Sequence, residues 1–359
     1  MPLTTTTIGA FPKPKSTPVQ DWFLGSKSDE EKKASKGLLA NWSPGAYEKA
    51  LEEAGENAEK LFLQAIEEVV TDQVNAGIDV PTDGEVRRES YVLYQCRFLN
   101  GISFKEVTHK SVRQGAFEAD LPTIIGPISS KEIRLHHDWK SAQQFTKKPL
   151  KITLPGPMTI TDSIANNYYD DLKKLGFDFA MVLNKEVKAL VDAGCQYIQV
   201  DEPVFARKPE QAIEYGMENL ERTMHGIPKE VQRVCHICCG YPNSLDSEGY
   251  KKADLDAYDR IADLVDQSSI DEVSLEDSHR HNDLSLLEKF EKTKVIFGVI
   301  DIARSRMEDV EEVRSRILDA LNHIDENRLI AAPDCGLGFF SREQAIEKMS
   351  ILSKAAKSI

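Results

Sequence analysis

No stretch of this 359-residue sequence approaches the ~20 consecutive apolar residues that a membrane-spanning helix requires, so no membrane partner is expected. The first residues lack both a basic segment and an apolar one; no secretory leader is read there, and a cytoplasmic location is expected. Positive charge is in deficit. The 45 Lys and Arg against 59 Asp and Glu leave a formal net charge of -14, which would repel a phosphate backbone and argues against a nucleic acid partner. A small-molecule substrate fits better. Cysteines number six, and three of them crowd together as Cys235, Cys238 and Cys239, unlike the even spacing of a secreted disulfide framework. Reduced thiols, some available to a metal, are expected. Short-period repeats and low-complexity tracts are missing too, which excludes a solenoid or an array.

What is present is a regular alternation. Short runs of β-branched and aliphatic residues fall at 4–8, 78–82, 150–154, 197–200, 231–236, 272–275, 295–300 and 328–332. Between them lie segments with apolar residues at steps of three and four, among them 179–193, 255–265 and 311–321. Eight strands alternating with helices predict an α/β fold, a (β/α)8 TIM barrel, and residues 1–359 are read as one such domain. Two connections are too long for plain barrel loops and are read as insertions after strands one and two, at about 11–44 and 86–148. The first precedes a long helix expected near 47–76, and its 27–36 stretch reads as a surface excursion. The second carries aromatic and β-rich patches, 91–98 and 117–128, that suggest a hairpin-like cap.

In such a barrel, catalytic groups sit at the carboxyl ends of the strands. The expected strand ends deliver Ile8-Gly9-Ala10, Asp83-Gly84-Glu85, Asp201-Glu202, His236-Ile237-Cys238, Glu276-Asp277, Asp301 and Asp334-Cys335-Gly336 to one rim. Residues two apart in a strand share a face, so His236 and Cys238 can grip one ion together, with Cys335 and Glu276 completing a set of four. An isolated H-x-C pair more often binds nothing, since free cysteines are commonly buried core residues. The matching positions of Glu276 and Cys335 tip the reading toward a metal, and thiolates with imidazole in tetrahedral array favour Zn2+. Alternation turns Cys235 away from that face, and Cys195, Cys235 and Cys239 are read as core or near-site thiols.

A metal with this donor set would deprotonate a substrate thiol whose free pKa is about 8.5, which points to alkyl transfer onto sulfur. Glu85 and Asp201 suit the ammonium group of an amino acid, and the backbone N–H groups of the Ile8-Gly9-Ala10 turn suit its carboxylate. Asp301 reads more readily as a structural carboxylate.

These same residues carry a resemblance. TTTIGAFP at 5–12, DGE at 83–85, LPGPMTI at 154–160, QVDEP at 199–203, HIC at 236–238, SLE at 274–276 and APDCGL at 332–337 resemble, in order, the motifs of the catalytic carboxy-terminal domain of cobalamin-independent methionine synthase. The resemblance implies a zinc-dependent methyltransferase with metal on His236, Cys238, Glu276 and Cys335. It also implies homocysteine held by Ile8, Gly9, Ala10, Glu85 and Asp201, the last two being the expected catalytic acids. Departures cluster on the donor side. Ser163 stands where the family has a folate-stacking tryptophan, Arg207 where it has an acid and Ala303 where it has a proton-relaying histidine; on the acceptor side, Ala10 stands where it usually has serine, which removes one side-chain contact to the acceptor. A short, core-type enzyme with a non-folate donor, such as a methylated corrinoid or its carrier protein, is therefore expected. His279 and His281, just past Glu276, read as solvated loop histidines. Two other readings are weighed: a thiol alkyltransferase resembling the epoxyalkane:coenzyme M transferases, which would want cations where Glu85 and Asp201 stand, and a non-catalytic zinc or corrinoid-binding module.

Overall fold

The structure, a computed structural model, describes residues 2–21, 43–112, 117–242, 244–247 and 251–359. Most of the first expected insertion, including its 27–36 stretch, lies outside the described residues. Among the described residues the chain forms nine strands in two sheets. β1 (Leu99–Val112) and β2 (Phe117–Ser130) pair antiparallel, and the two-residue β4 (Ala165–Asn166) joins β2 in parallel. The second sheet is wholly parallel. It contains β3 (Lys151–Pro155), β5 (Tyr197–Asp201), β6 (Gln232–Ile237), β7 (Glu272–Leu275), β8 (Lys294–Ile300) and β9 (Leu329–Pro333), in the order β3-β5-β6-β7-β8-β9. All six match predicted strands to within one or two residues.

The two remaining expected strands, 4–8 and 78–82, are present as isolated parallel bridges. Thr5 bridges Ala331 of β9, Thr6 bridges Val80, and Thr82 bridges Lys151 of β3, so these segments span the gap between the edges of the six-stranded sheet. The sheet is thus not closed by continuous ladders, and the sequence shows why. Pro81 has no N–H to give, although its carbonyl accepts from Lys151 N at 2.9 Å. Side chains take over the missing ladder bonds: the Gln73 amide bonds both the N–H and the C=O of Thr82 at 3.0 Å, and Asp79 Oδ2 accepts from Thr5 N at 3.0 Å. Inside the ring, Ile8, Val234, Ile296, Ile330 and Ala332 form a small apolar cluster of their own.

Helices cover the outside. The longest, Leu172–Ala193, buries Leu175, Phe179, Leu183, Val187 and Leu190 along one stripe, is capped by the Asp171 side chain, and stops at Gly194 in the left-handed region. It starts seven residues earlier than the periodic segment read at 179–193, at the Asp171 cap. The predicted helix near 47–76 is divided into Ala46–Ala54 and Ala58–Asn75 by Gly55, whose φ of 54° breaks the helical path. The second insertion holds the expected hairpin in β1 and β2. Its first patch is a correction: Tyr91–Cys96 is helical, opened by Ser90 Oγ accepting from Leu93 N at 3.4 Å, so capping outweighs the β propensity of its tyrosines and valine. No helix among the described residues is long and apolar enough to cross a membrane.

Gly84 and Glu85 both adopt positive φ, 65° and 57°, and the turn they make aims the Glu85 carboxyl inward. A Cβ on Gly84 would lie 2.3 Å from Val69 Cγ1, on a buried and stiff side chain. Gly84→Ala is therefore expected to lower unfolding free energy by about 1–3 kcal/mol in urea titrations. An unchanged midpoint would show that the turn carries no such constraint.

Candidate active site

β6 ends in His236 and Cys238, and β9 leads into Cys335. The ligand atoms of these three residues all lie within 4.8 Å of one another, the arrangement expected of a group that could hold a metal ion. Ser274 on the neighbouring strand fixes the imidazole: its hydroxyl is 2.9 Å from His236 Nδ1, leaving Nε2 3.3 Å from Cys335 Sγ. Glu276, the fourth expected ligand, is not in that three-residue group. It is 3% exposed, its Oε2 accepts from Lys252 Nζ at 2.9 Å, and its Oε1 is buried with no hydrogen-bond partner among the described residues. A buried carboxylate oxygen left unpaired beside two thiols and an imidazole fits a zinc donor set.

Electrostatics sharpen the picture. The hydrogen bond from Cys335 holds the Cys238 thiol well below its ordinary range against the opposing effect of burial, helped by His236 and the positive Arg207. Burial works against protonation of His236, yet its contact with Cys238 and the nearby acids raise its pKa overall. Cys195, Cys235 and Cys239 behave as core thiols: burial pushes Cys195 and Cys239 up to about 12 and holds Cys235 well above its ordinary range.

On the other side stand the expected acceptor residues. Burial raises Glu85 to about 7, partly offset by Arg88, and raises Asp201 to about 6, partly offset by His236. Thr153 Oγ1 donates to Glu85 Oε1 at 2.9 Å, and Arg88, itself anchored on Asp83 and the Thr153 carbonyl, lies 3.7 Å from the same oxygen. Gln199 Nε2 donates to Asp201 Oδ1 at 2.7 Å and to the Ile8 carbonyl at 2.8 Å. Position 9 has to be glycine for this packing, since a Cβ there would sit 2.8 Å from Glu85 Oε1.

A cavity of about 100 Å³ joins the two sides. Ile8, Gly9, Ala10, Glu85, Asp201, His236, Cys238 and Cys335 all line it, while Glu276 does not. Sequence reasoning missed Asp21, Tyr91 and Tyr241 in the same wall. Asp21 is paired with the buried Lys13 at 2.8 Å, and Tyr241 donates to the Gly336 carbonyl at 2.9 Å while stacking on Phe339 with ring centres 5.0 Å apart. Asp21 and Tyr241 come from loops, and Tyr91 from the first turn of the helix Tyr91–Cys96, whose approach to the rim no periodicity reports. Arg207 also lines the cavity and lies 3.7 Å from Asp162, which Lys208 holds at 2.5 Å. Of the loop histidines, His281 is 3.1 Å from Asp277, whereas His279 Nδ1 is 3.3 Å from both oxygens of Asp301. That contact, with the Ala303 amide, outweighs burial and keeps Asp301 acidic.

Comparison with known proteins agrees with this site. Residues 45–358 match the family model described as cobalamin-independent synthase, catalytic domain. A methionine synthase of Sulfolobus acidocaldarius is 31% identical over 82% of this chain and 80% of its own length; one from Saccharolobus solfataricus is 29% identical over 99% and 95%. The solved structure of a B12-independent methionine synthase from Shewanella sp. W3-18-1 superposes with a TM-score of 0.83 at 30% identity, covering 100% of this chain and 98% of that one. With the fold, the match of nearly the whole chain and a His/Cys group able to take zinc in agreement, the chain belongs to the cobalamin-independent methionine synthase family and is a zinc-dependent methyltransferase.

Proposed function

We propose that the protein methylates the thiol of homocysteine to give methionine, with His236, Cys238, Cys335 and Glu276 as zinc ligands. One observation carries this reading: a single cavity is lined both by the sulfur and imidazole donors and by two buried acids, Glu85 and Asp201. A thiol amino acid needs both. Zinc, when bound, deprotonates a coordinating thiol and leaves a nucleophilic sulfur near neutral pH. The protein's own groups orient the rest. Glu85 and Asp201 accept from the ammonium group, the amides of Gly9 and Ala10 face the carboxylate, and Ser274 keeps the His236 ring from rotating. A coenzyme M-type acceptor would put its sulfonate against the same two acids, which repel it. The complex of the Shewanella relative with selenomethionine supports an amino acid as occupant.

The donor reading is narrower. Ser163 ends the helix Pro157–Ser163 and Arg207 lines the cavity, two positions where the family's folate-handling groups are replaced, and Ala303, whose N–H donates to Asp301, stands where the family has a proton-relaying histidine. These replacements favour a donor other than methyltetrahydrofolate. A corrinoid remains the donor class proposed, although the family description, cobalamin-independent, lends it no support. Purified protein given homocysteine is expected to turn over faster with methylcobalamin than with methyltetrahydrofolate, and efficient turnover with the folate alone would contradict the proposal.

Two further outcomes are expected. Cys335→Ser should reduce bound zinc, measured by atomic emission on the purified protein, and abolish methyl transfer; full retention of both would remove Cys335 from the metal site. Glu85 is charged only above its raised pKa of about 7, so the KM for homocysteine should fall as pH rises through that region. Glu85→Gln should raise KM about 10–100-fold and flatten this dependence, as loss of a charge-assisted hydrogen bond requires. A parallel pH profile in the variant would assign the titration elsewhere.

A further inference from the structure

The opposite end of the parallel sheet carries charge where a barrel interior ordinarily holds branched aliphatic side chains. Lys151 opens β3, Tyr197 opens β5, Glu272 opens β7 and Lys294 opens β8, and all four line a cavity of about 210 Å³. Exposed Glu326 and Asn327 stand among its lining residues, toward solvent. The apolar cluster inside the ring separates this cavity from the catalytic one, since its member Ile8 lines the upper space and its member Ile330 the lower.

Lys151 is the unexplained group. It is 1% exposed, and its Nζ makes no hydrogen bond among the described residues. An amine held this way is costly, because burial without a partner forfeits its hydration. Burial indeed pushes it down to about 8, with Glu272 and Asp201 only partly restoring its charge. Glu272 is buried as well, and the nearest cation to it is Lys294 at 3.9 Å. Lys294 pairs with Glu272, and the second carboxylate of the lining, Glu326, is exposed at the mouth, so the buried Lys151 ammonium is left without a hydrogen-bond partner among the described residues. The space exceeds several water volumes of about 30 Å³ each, enough for a small organic ion. A dianion would be repelled by Glu272.

We infer that this cavity at the amino-terminal end of the strands binds a small singly charged oxyanion, a short carboxylate or bicarbonate, which accepts hydrogen bonds from Lys151 Nζ. The site is independent of the catalytic reading, and its occupancy stabilises the fold by linkage. Thermal unfolding of the zinc-loaded protein in acetate, bicarbonate, phosphate and chloride at matched ionic strength tests it. A saturable rise in Tm with acetate or bicarbonate, beyond that in chloride, is expected; the two arms separate a carboxylate ligand from a carbonate one. Lys151→Met should abolish that rise while leaving methyl transfer intact. Should that variant fail to fold, Lys294→Gln, altering a half-buried residue at the mouth, should weaken the apparent affinity about fivefold. Equal responses to all four anions, a response to phosphate alone, or a rise unaltered in the variants would each overturn the proposal and leave a water-filled cavity.

Discussion

One side-chain amide, that of Gln199, donates at once to the Ile8 carbonyl and to the Asp201 carboxylate, and this fork joins the bridged part of the ring to its continuous part. The site depends on that junction. The metal donors stand at the end of the six-stranded sheet, where ladder bonds fix His236 and the ends of β6 and β9 lead into Cys238 and Cys335. The acceptor groups, Gly9, Ala10 and Glu85, stand on two segments outside the continuous ladders, held by bridges, by scattered backbone bonds such as Leu337 N to the Ala10 carbonyl, and by side chains including Gln73, Asp79 and Thr82. Neither half alone can seat a thiol amino acid. Side-chain hydrogen bonds, those of Gln73 and Gln199 buried and those of Asp79 partly so, here do the work that continuous strands do elsewhere in the ring.

The same junction sets the electrostatics. Glu85 and Asp201 are brought out of water next to each other, and burial alone makes both reluctant to ionise. An ammonium group arriving between them would relieve that cost, so desolvation that is unfavourable in the free protein becomes selectivity for a cationic amine. The left-handed backbone at Glu85, with Gly84 before it, belongs to the same preorganisation, as strained residues at binding sites often do. On the metal side, Ser274 orients the His236 ring toward Cys335, while Lys252 holds one oxygen of Glu276 and leaves the other unpaired.

Much of this was legible in the sequence. Short β-branched and aliphatic runs marked all six continuous strands, and H-x-C at one strand end with Cys335 at another identified three residues that do meet in space. Glu276 was foreseen at the rim and is buried there, with one oxygen unpaired, but its place beside the trio depends on a metal that side-chain packing alone does not supply. The edges 4–8 and 78–82 looked like ordinary strands because side-chain substitutes for ladder bonds leave no trace in hydropathy. Tyr91–Cys96 was misjudged because a single Ser90 cap decided between helix and strand. Asp21 and Tyr241 reach the cavity from loops.

The central claim is that the sulfur donors and the amino-acid seat share one cavity, so that a thiol amino acid meets the metal directly. X-ray absorption at the zinc edge, with and without homocysteine, tests it most simply. The account predicts a shell containing the sulfurs of Cys238 and Cys335 together with lighter donors, gaining one further sulfur when homocysteine is added but not when homoserine is. A spectrum that homocysteine leaves unchanged would contradict it.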